Sequence, residues 1–453
     1  MTGRPLSLWA RWCGIVAADD DLSDRLGLLL LASLVWDVGS SQTNFVVIPG
    51  MPASAVALPY VSFGVMLILI TMASRQPLWS WVVSQRPRRL IVAAPLLMII
   101  IAPLYAARVA GTVAAGVPGI ADSSAVTVCA ADAIVHGNDP YAMSEPRCLR
   151  SLGVGFAAAT PLPIGRLAKV RVYPNLEQLH SAFEAALRAH QPAPDFPPYG
   201  YPPMAAVWMM PTIHLGRASR VGWVMLFVVL VGIAAGAAAG PLWPAALAVL
   251  LLQLAPASIL SGAMSGNGEA IADALAALGL LWISNPRRSG ILIGLAVVSN
   301  ELAWFMAVGY LLASRRLPGW RSRFMVTCTV TAIAMVPWIL LDPRLIPAMW
   351  RFLTEPTFAV GLGLVALRTG GWAPRLGQGV MNALAAFALV GVVMFGVRTR
   401  RWARLAAVLP VAILWLSWRS EVTFLSAVPL MALVAVLGLP SAELAARSEQ
   451  GTD

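Results

Sequence analysis

Apolar runs of near-membrane length recur from one end of this chain to the other, and arginine clusters separate them. Ile91 to Ala114, Phe324 to Leu341, Val380 to Val397 and Val422 to Leu439 are examples. A helix needs roughly 20 predominantly apolar residues to cross the hydrocarbon core. A chain written this way folds as a bundle of membrane helices rather than around one soluble core. With 58% hydrophobic and 12% charged residues, it falls well below the ~25% charge of a soluble domain. Its 37 glycines and 34 prolines would signal loops in water; in lipid they fit kinked or broken helices.

The net charge of +11 invites a nucleic-acid reading, which the placement of the charge removes. Arg75, Arg86, Arg88 and Arg89 form one cluster, Arg315, Arg316, Arg321 and Arg323 a second, and Arg398, Arg400, Arg401 and Arg404 a third. Basic residues gathered between spans mark the cytoplasmic side. The expected class is therefore all-α and polytopic, a multi-pass plasma-membrane protein with about 12 spans and both termini cytoplasmic.

Residues 1–25 read as a cytoplasmic tail, 26–116 as the first membrane helices, 117–200 as a large extracytoplasmic loop, 201–440 as the helical core and 441–453 as a second tail. Asp19, Asp20, Asp21 and Asp24 in the first tail do not resemble a cleaved signal peptide. Strict alternation places the 117–200 loop, Asp342 to Arg375, and Trp418 to Glu421 on the face opposite the three arginine clusters. It also puts Arg287 and Arg288 on that outer face, against the charge rule. Segments 201–216, 269–283 and 405–417 are short for simple crossings. The composition of Ser265-Gly266-Asn267-Gly268 suits a re-entrant turn.

The 117–200 loop is the one long polar stretch, and chemistry concentrates in such exposed segments. Asp122 lies just beyond the third span. One reading makes it the cap of a helix over 121–135; another makes it a base at the membrane surface. Gly137 to Tyr141 has turn composition, and Asp139 and Tyr141 are candidates to bind sugar hydroxyls. Tyr199, Tyr201, Pro202 and Pro203 form a rigid aromatic approach to the next helix, or an interfacial belt. Cys129 and Cys148 fall on the oxidising side, where a disulfide and an unpaired packed helix cysteine are both open readings.

Arg419, between two apolar stretches on the same face, either snorkels to headgroups or holds a lipid phosphate bidentately. Glu301 falls inside the predicted 289–312 span, where a carboxylate is protonated, matched to an arginine such as Arg108, or functional. The four histidines are scattered, so no metal-ligand spacing is visible. No cofactor is expected, and a carboxylate-held divalent ion stays open.

Together these motifs resemble the polyprenyl-phosphate-dependent glycosyltransferases of the GT-C superfamily, especially the actinobacterial mannosyltransferase-like membrane proteins of glycosyltransferase family 87. Asp122, Ala130-Ala131 and Gly137 to Tyr141 are similar to that family's early loop, with its catalytic Asp, Ala-rich helix and Gly-x-(Asp)-Pro-Tyr motif. Tyr201-Pro202-Pro203 matches its Tyr-Pro-Pro, Gly266 to Glu269 loosely matches its Gly-Gln-x-Asn turn, and Arg419 with Phe424 resembles its penultimate loop. The resemblance covers roughly residues 91–439.

The resemblance implies a GT-C-like fold and transfer of a sugar such as mannose from a polyprenyl-phosphate donor to a glycolipid or glycan acceptor. Asp122 would be the base. Arg419, with Arg150, Lys169 or Arg171, would face the lipid phosphate, and Tyr141 and Tyr201 would line the entrance. The implied partners are the polyprenyl-phosphate lipid, the acceptor and bilayer lipids, with no nucleic acid. Two departures stand out: Glu301-Leu302 occupies a place where relatives often carry Lys, and the Gly266 turn lacks Gln. A lipid-linked sugar transporter or flippase, and a noncatalytic envelope-assembly protein, are the alternative readings.

Overall fold

The computed structural model describes residues 20–40, 53–74, 122–156, 159–189, 191–215, 217–252, 266–315, 317–398, 408–420, 424–425 and 427–438. The described chain is helical almost throughout. Helices α1 (Asp20–Ser40) and α2 (Ala53–Ser74) open it and pack along one another.

A small lobe follows, built from α3 (Asp122–Val135), α4 (Glu145–Ser151) and α5 (Leu176–Arg188). The start of α5 is fixed by a reciprocal cap: Asn175 Oδ1 accepts from the Gln178 N–H at 2.8 Å, and Gln178 Oε1 accepts from the Asn175 N–H at 3.0 Å. Such caps satisfy two of the helix's orphan donors. Leu179 and Phe183 on its inner face join Leu149 and Phe196 in the lobe core, with the Phe183 and Phe196 rings edge to face at 5.8 Å. A disulfide joins Cys129 of α3 to Cys148 of α4.

The membrane bundle continues with α6 (Pro203–Met209), α7 (Arg217–Ala239), α8 (Trp243–Leu252), α9 (Glu269–Leu281), α10 (Pro286–Val297), α11 (Leu302–Ser314) and α12 (Trp320–Leu341). The rest comprises α13 (Leu345–Thr354), β1 (Val360–Gly361), α14 (Val365–Thr369), α15 (Gln378–Arg398), α16 (Leu409–Ala412), β2 (Arg419–Ser420) and α17 (Ala427–Gly438). Among the described residues three helical stretches are long and apolar enough to cross a membrane: Ala57–Ser74, Ser219–Ala239 and Trp320–Leu341. Shorter apolar helices include Leu302–Leu312, Gln378–Met394 and Ala427–Gly438.

Small residues set the closest helix contacts. A Cβ added to Gly290 of α10 would lie 2.9 Å from the Arg323 carbonyl oxygen of α12, and one on Gly294 would lie 2.8 Å from Val330 Cβ. Thr327 Oγ1 donates to the Gly290 carbonyl at 3.2 Å across the same contact. Helices in lipid gain no hydrophobic drive toward one another, so close backbone approach through glycine carries the packing. Arg323, only 1% exposed, donates Nε–H to the Ile283 carbonyl at 3.0 Å just past the end of α9. A cation is favoured at that end of a helix.

These contacts revise the predicted path of the chain in the middle of the bundle. Ile283 touches Arg323, and Gly319 packs directly on Pro286. Arg287 and Arg288 therefore share an end of the bundle with the 315–323 arginine cluster, not the opposite one. Two changes produce this. The 201–216 segment makes no crossing of its own: α6 has seven residues, about 10 Å at 1.5 Å per residue. A 3₁₀ turn over Met210–Thr212 follows it, and α7 restarts with Arg220 against Gly266. The 289–312 run, conversely, is two helices, because α10 ends at Val297 and α11 starts at Leu302. Glu301 thus sits at a helix break rather than inside a span.

The three segments predicted to share one face do meet. The Tyr173 and Phe358 rings stand 5.9 Å apart, Asp139 pairs with Arg344, and β1 runs parallel to β2 with Val360 opposite Arg419. Gly361, at φ +118°, is required here, since any Cβ would collide with the Ser420 carbonyl.

Candidate functional site

Three chain breaks converge where the lobe meets the bundle. The first is the turn before α9. Gly266 turns with φ +74°. Asn267 Oδ1 then accepts from the Glu269 N–H at 3.0 Å, while its amide donates to Ser123 Oγ at 3.3 Å. Gly268 packs against Met209, the Ala205 carbonyl and Thr127. This turn clamps the first residues of α3 to α6. The backbone places Asp122 as the first residue of α3; its side chain lies outside the described residues, as does Arg108.

The second break is Ser299-Asn300-Glu301. The Met204 N–H donates to the Val298 carbonyl at 3.2 Å, and Trp208 Nε1 donates to Ser299 Oγ at 2.8 Å. Asn300 Oδ1 accepts from the Leu302 N–H at 2.7 Å, and Trp304 Nε1 donates to the Val297 carbonyl at 2.8 Å. Helix α10 has 12 residues and α9 has 13, about 18–20 Å each against a hydrocarbon core of roughly 30 Å. Because Gly290 and Gly294 pack beside the first half of α12, both breaks fall alongside its second half. Irregular backbone at such depth persists only where protein or a cavity satisfies it, and here side chains do so.

Aromatic residues roof the junction. Tyr141, Tyr199 and Tyr201 follow one another at ring spacings of 5.4 and 5.7 Å. The Tyr141 hydroxyl donates to the Tyr201 carbonyl at 3.1 Å, and the Tyr199 hydroxyl to the Pro202 carbonyl at 3.1 Å. Burial holds the Tyr199 phenol well above its ordinary value, and the neighbouring Tyr141 and Glu301 push it the same way. Tyr141 is 4% exposed, and burial, then Asp342 and Asp139, raise it too. Tyr141 is thus a packed strut, while Tyr201 keeps a partly open surface.

The third break lies at the end of α12. Asp139 caps the 3₁₀ turn over Pro140–Ala142 by accepting from the Tyr141 N–H at 2.8 Å. Its other oxygen meets Arg344, whose Nε lies 3.0 Å from Asp342 Oδ1. Burial, then a hydrogen bond with Asp342, raises the Asp139 carboxyl. Burial would raise Asp342 as well, but hydrogen bonds from Asp139 and Arg344 outweigh it and hold that carboxyl low. Both carboxyl groups meet one guanidinium, that of Arg344.

Three other sequence candidates, Arg150, Lys169 and Arg171, are exposed on the lobe. Arg150 Nη1 pairs with Glu184 of α5 at 3.1 Å. Arg419 is half-buried in β2, next to Trp418, over whose ring Arg368 stacks at 4.9 Å. Sequence reasoning missed Asp342, Arg344 and Arg368. An Asp-Pro-Arg triplet at the edge of the α12 apolar run was the available signal for the first two. Among the described residues no cluster of three or more His, Cys, Asp or Glu could hold a metal ion. No family model, curated protein or solved structure matches this chain.

Proposed function

We propose that this chain is an integral membrane glycosyltransferase that moves a sugar, mannose being the first candidate, from a polyprenyl phosphate to a glycolipid or glycan acceptor on the lobe side of the plasma membrane. The observation that carries the reading is the Asn267 clamp. It holds the start of α3, where Asp122 stands, against the turn before α9 and against α6, which opens from the Tyr199-Tyr201-Pro202 approach. In this mechanism Asp122 takes the proton of the acceptor hydroxyl, and the oxygen attacks the anomeric carbon. The C–O bond to the lipid phosphate breaks, with inversion, and the phosphate leaves with the bonding pair. Arg419, half-buried on the lobe side, supplies positive charge as that phosphate forms. Arg150, Lys169 and Arg171 are the exposed basic groups on which an approaching donor would draw first.

The test compares purified wild type with Asp122→Asn for transfer of labelled mannose from polyprenyl-phosphate mannose to a membrane lipid extract. Transfer by the wild type and loss in a folded variant supports the enzyme and its base. Equal transfer by both removes Asp122 from the role. Transfer by neither moves weight to a lipid-linked sugar transporter. The short helices α9 and α10, broken at membrane depth, favour that second reading, because transporters bind substrate at such breaks. Glu301, in place of the Lys that relatives often carry, favours a noncatalytic assembly role.

A further inference from the structure

Helix α13 begins after only Asp342-Pro343-Arg344 beyond the end of α12. Leu345 and Ala348 face the protein, while Ile346 and Trp350, one turn apart, are each 45% exposed. Pro343 and Pro347 are exposed as well. The last residues of α12, Leu340 and Leu341, are still more open, Leu341 at 80%. Exposed apolar residues therefore follow from the end of a membrane-length helix, through Pro343, onto the outer side of α13, with Asp342 and Arg344 between them. An exposed surface of that kind marks a membrane or partner site, and adjacency to α12 selects the bilayer.

The charges nearby decide how it would be held. Interfacial helices commonly carry free Lys and Arg that draw them to anionic lipid. Here Arg344 is taken up by Asp139 and Asp342, and Arg351 Nε lies 3.4 Å from Glu355. Both guanidinium groups of the segment thus have carboxylate partners within the protein.

We infer that α13 lies flat in the bilayer interface on the lobe side, with Ile346 and Trp350 at the boundary of headgroups and acyl chains, held by apolar burial and not by anionic lipid. Tryptophan favours that depth. Through Arg344 and Asp139 the helix then ties the lobe to a fixed height above the hydrocarbon. The inference rests on the membrane reading alone and is independent of any reaction.

The full chain with Cys13→Ala and Cys328→Ala, reconstituted in nanodiscs, takes spin labels at Ile346→Cys or Trp350→Cys. Leu340→Cys serves as the lipid reference and Leu176→Cys, exposed on the lobe, as the aqueous one. Oxygen accessibility relative to a water-soluble nickel complex should approach that of position 340 at both sites. It should stay unchanged between zwitterionic and anionic lipid and at high salt. Nickel accessibility equal to that at position 176 overturns the placement. Immersion that appears only with anionic lipid overturns the apolar mode of attachment.

Discussion

Asn267 and Ser123, 144 positions apart, meet through a buried side-chain hydrogen bond of 3.3 Å. The same asparagine caps the Glu269 N–H, so one residue starts α9 and anchors α3. Asn267→Ala leaves the Ser123 hydroxyl and the Glu269 N–H without this partner, a loss of about 1–3 kcal/mol. The melting midpoint in detergent should fall accordingly. Asn267→Asp keeps the cap, loses the amide donor, and should fall between the two. Asn267→Ala melting as wild type does would show that the clamp is not built this way.

Gly290→Ala should drive α10 and α12 apart, since the new Cβ meets the Arg323 carbonyl at 2.9 Å. Overpacking of this kind costs about 1–3 kcal/mol. Gly64→Ala in α2, where a Cβ meets nothing within 4 Å, is the matched control and should melt at or above wild type. Equal midpoints for the two variants would contradict the close crossing.

The Asp139 and Asp342 carboxyls predict opposite limbs of a pH profile. Asp139 has a raised value in the folded state, so its contribution is present when it is protonated and is lost as pH rises through that value. Asp342 has a lowered value, so its contribution is lost as pH falls through it. The junction is tightest between the two. Asp139→Asn should abolish the alkaline limb and leave the acid limb, with midpoint changes on the order of a few degrees. Melting curves across pH for wild type and variant check this; an unchanged alkaline limb would place its origin elsewhere.

Residues 288 and 171 should lie on opposite sides of the membrane. With Cys13 and Cys328 replaced by Ala, Arg171→Cys should react with an impermeant maleimide on intact cells. Arg288→Cys should react only after permeabilisation. Labelling of position 288 from outside would reverse the directions given to α9 and α10.

The membrane class was legible because hydropathy needs no partner: the α7 and α12 runs read directly as helices. So did the helix at 122–135 and the turn at Gly137, whose φ is +70°, because spacing and turn chemistry are local. The break at Ser299 to Glu301 was not, since three polar residues are averaged away inside a long apolar window. The Asp139–Arg344 pair spans 205 positions, and no local pattern announces a contact set by the register of whole helices. The Arg150–Glu184 pair was hidden for the same reason, its partners lying 34 positions apart.

The Phe63 ring lies flat on Trp415 at 4.0 Å, Trp36 meets the same indole edge to face, and the Tyr60 hydroxyl reaches the Gly363 carbonyl. The first two helices are thus completed by some of the last residues to be made. At roughly 5–20 residues per second, Phe63 leaves the ribosome tens of seconds before Trp415 exists. For that interval the aromatic face of these two helices stands without its native cover, and a chain cut short before residue 415 would keep it so.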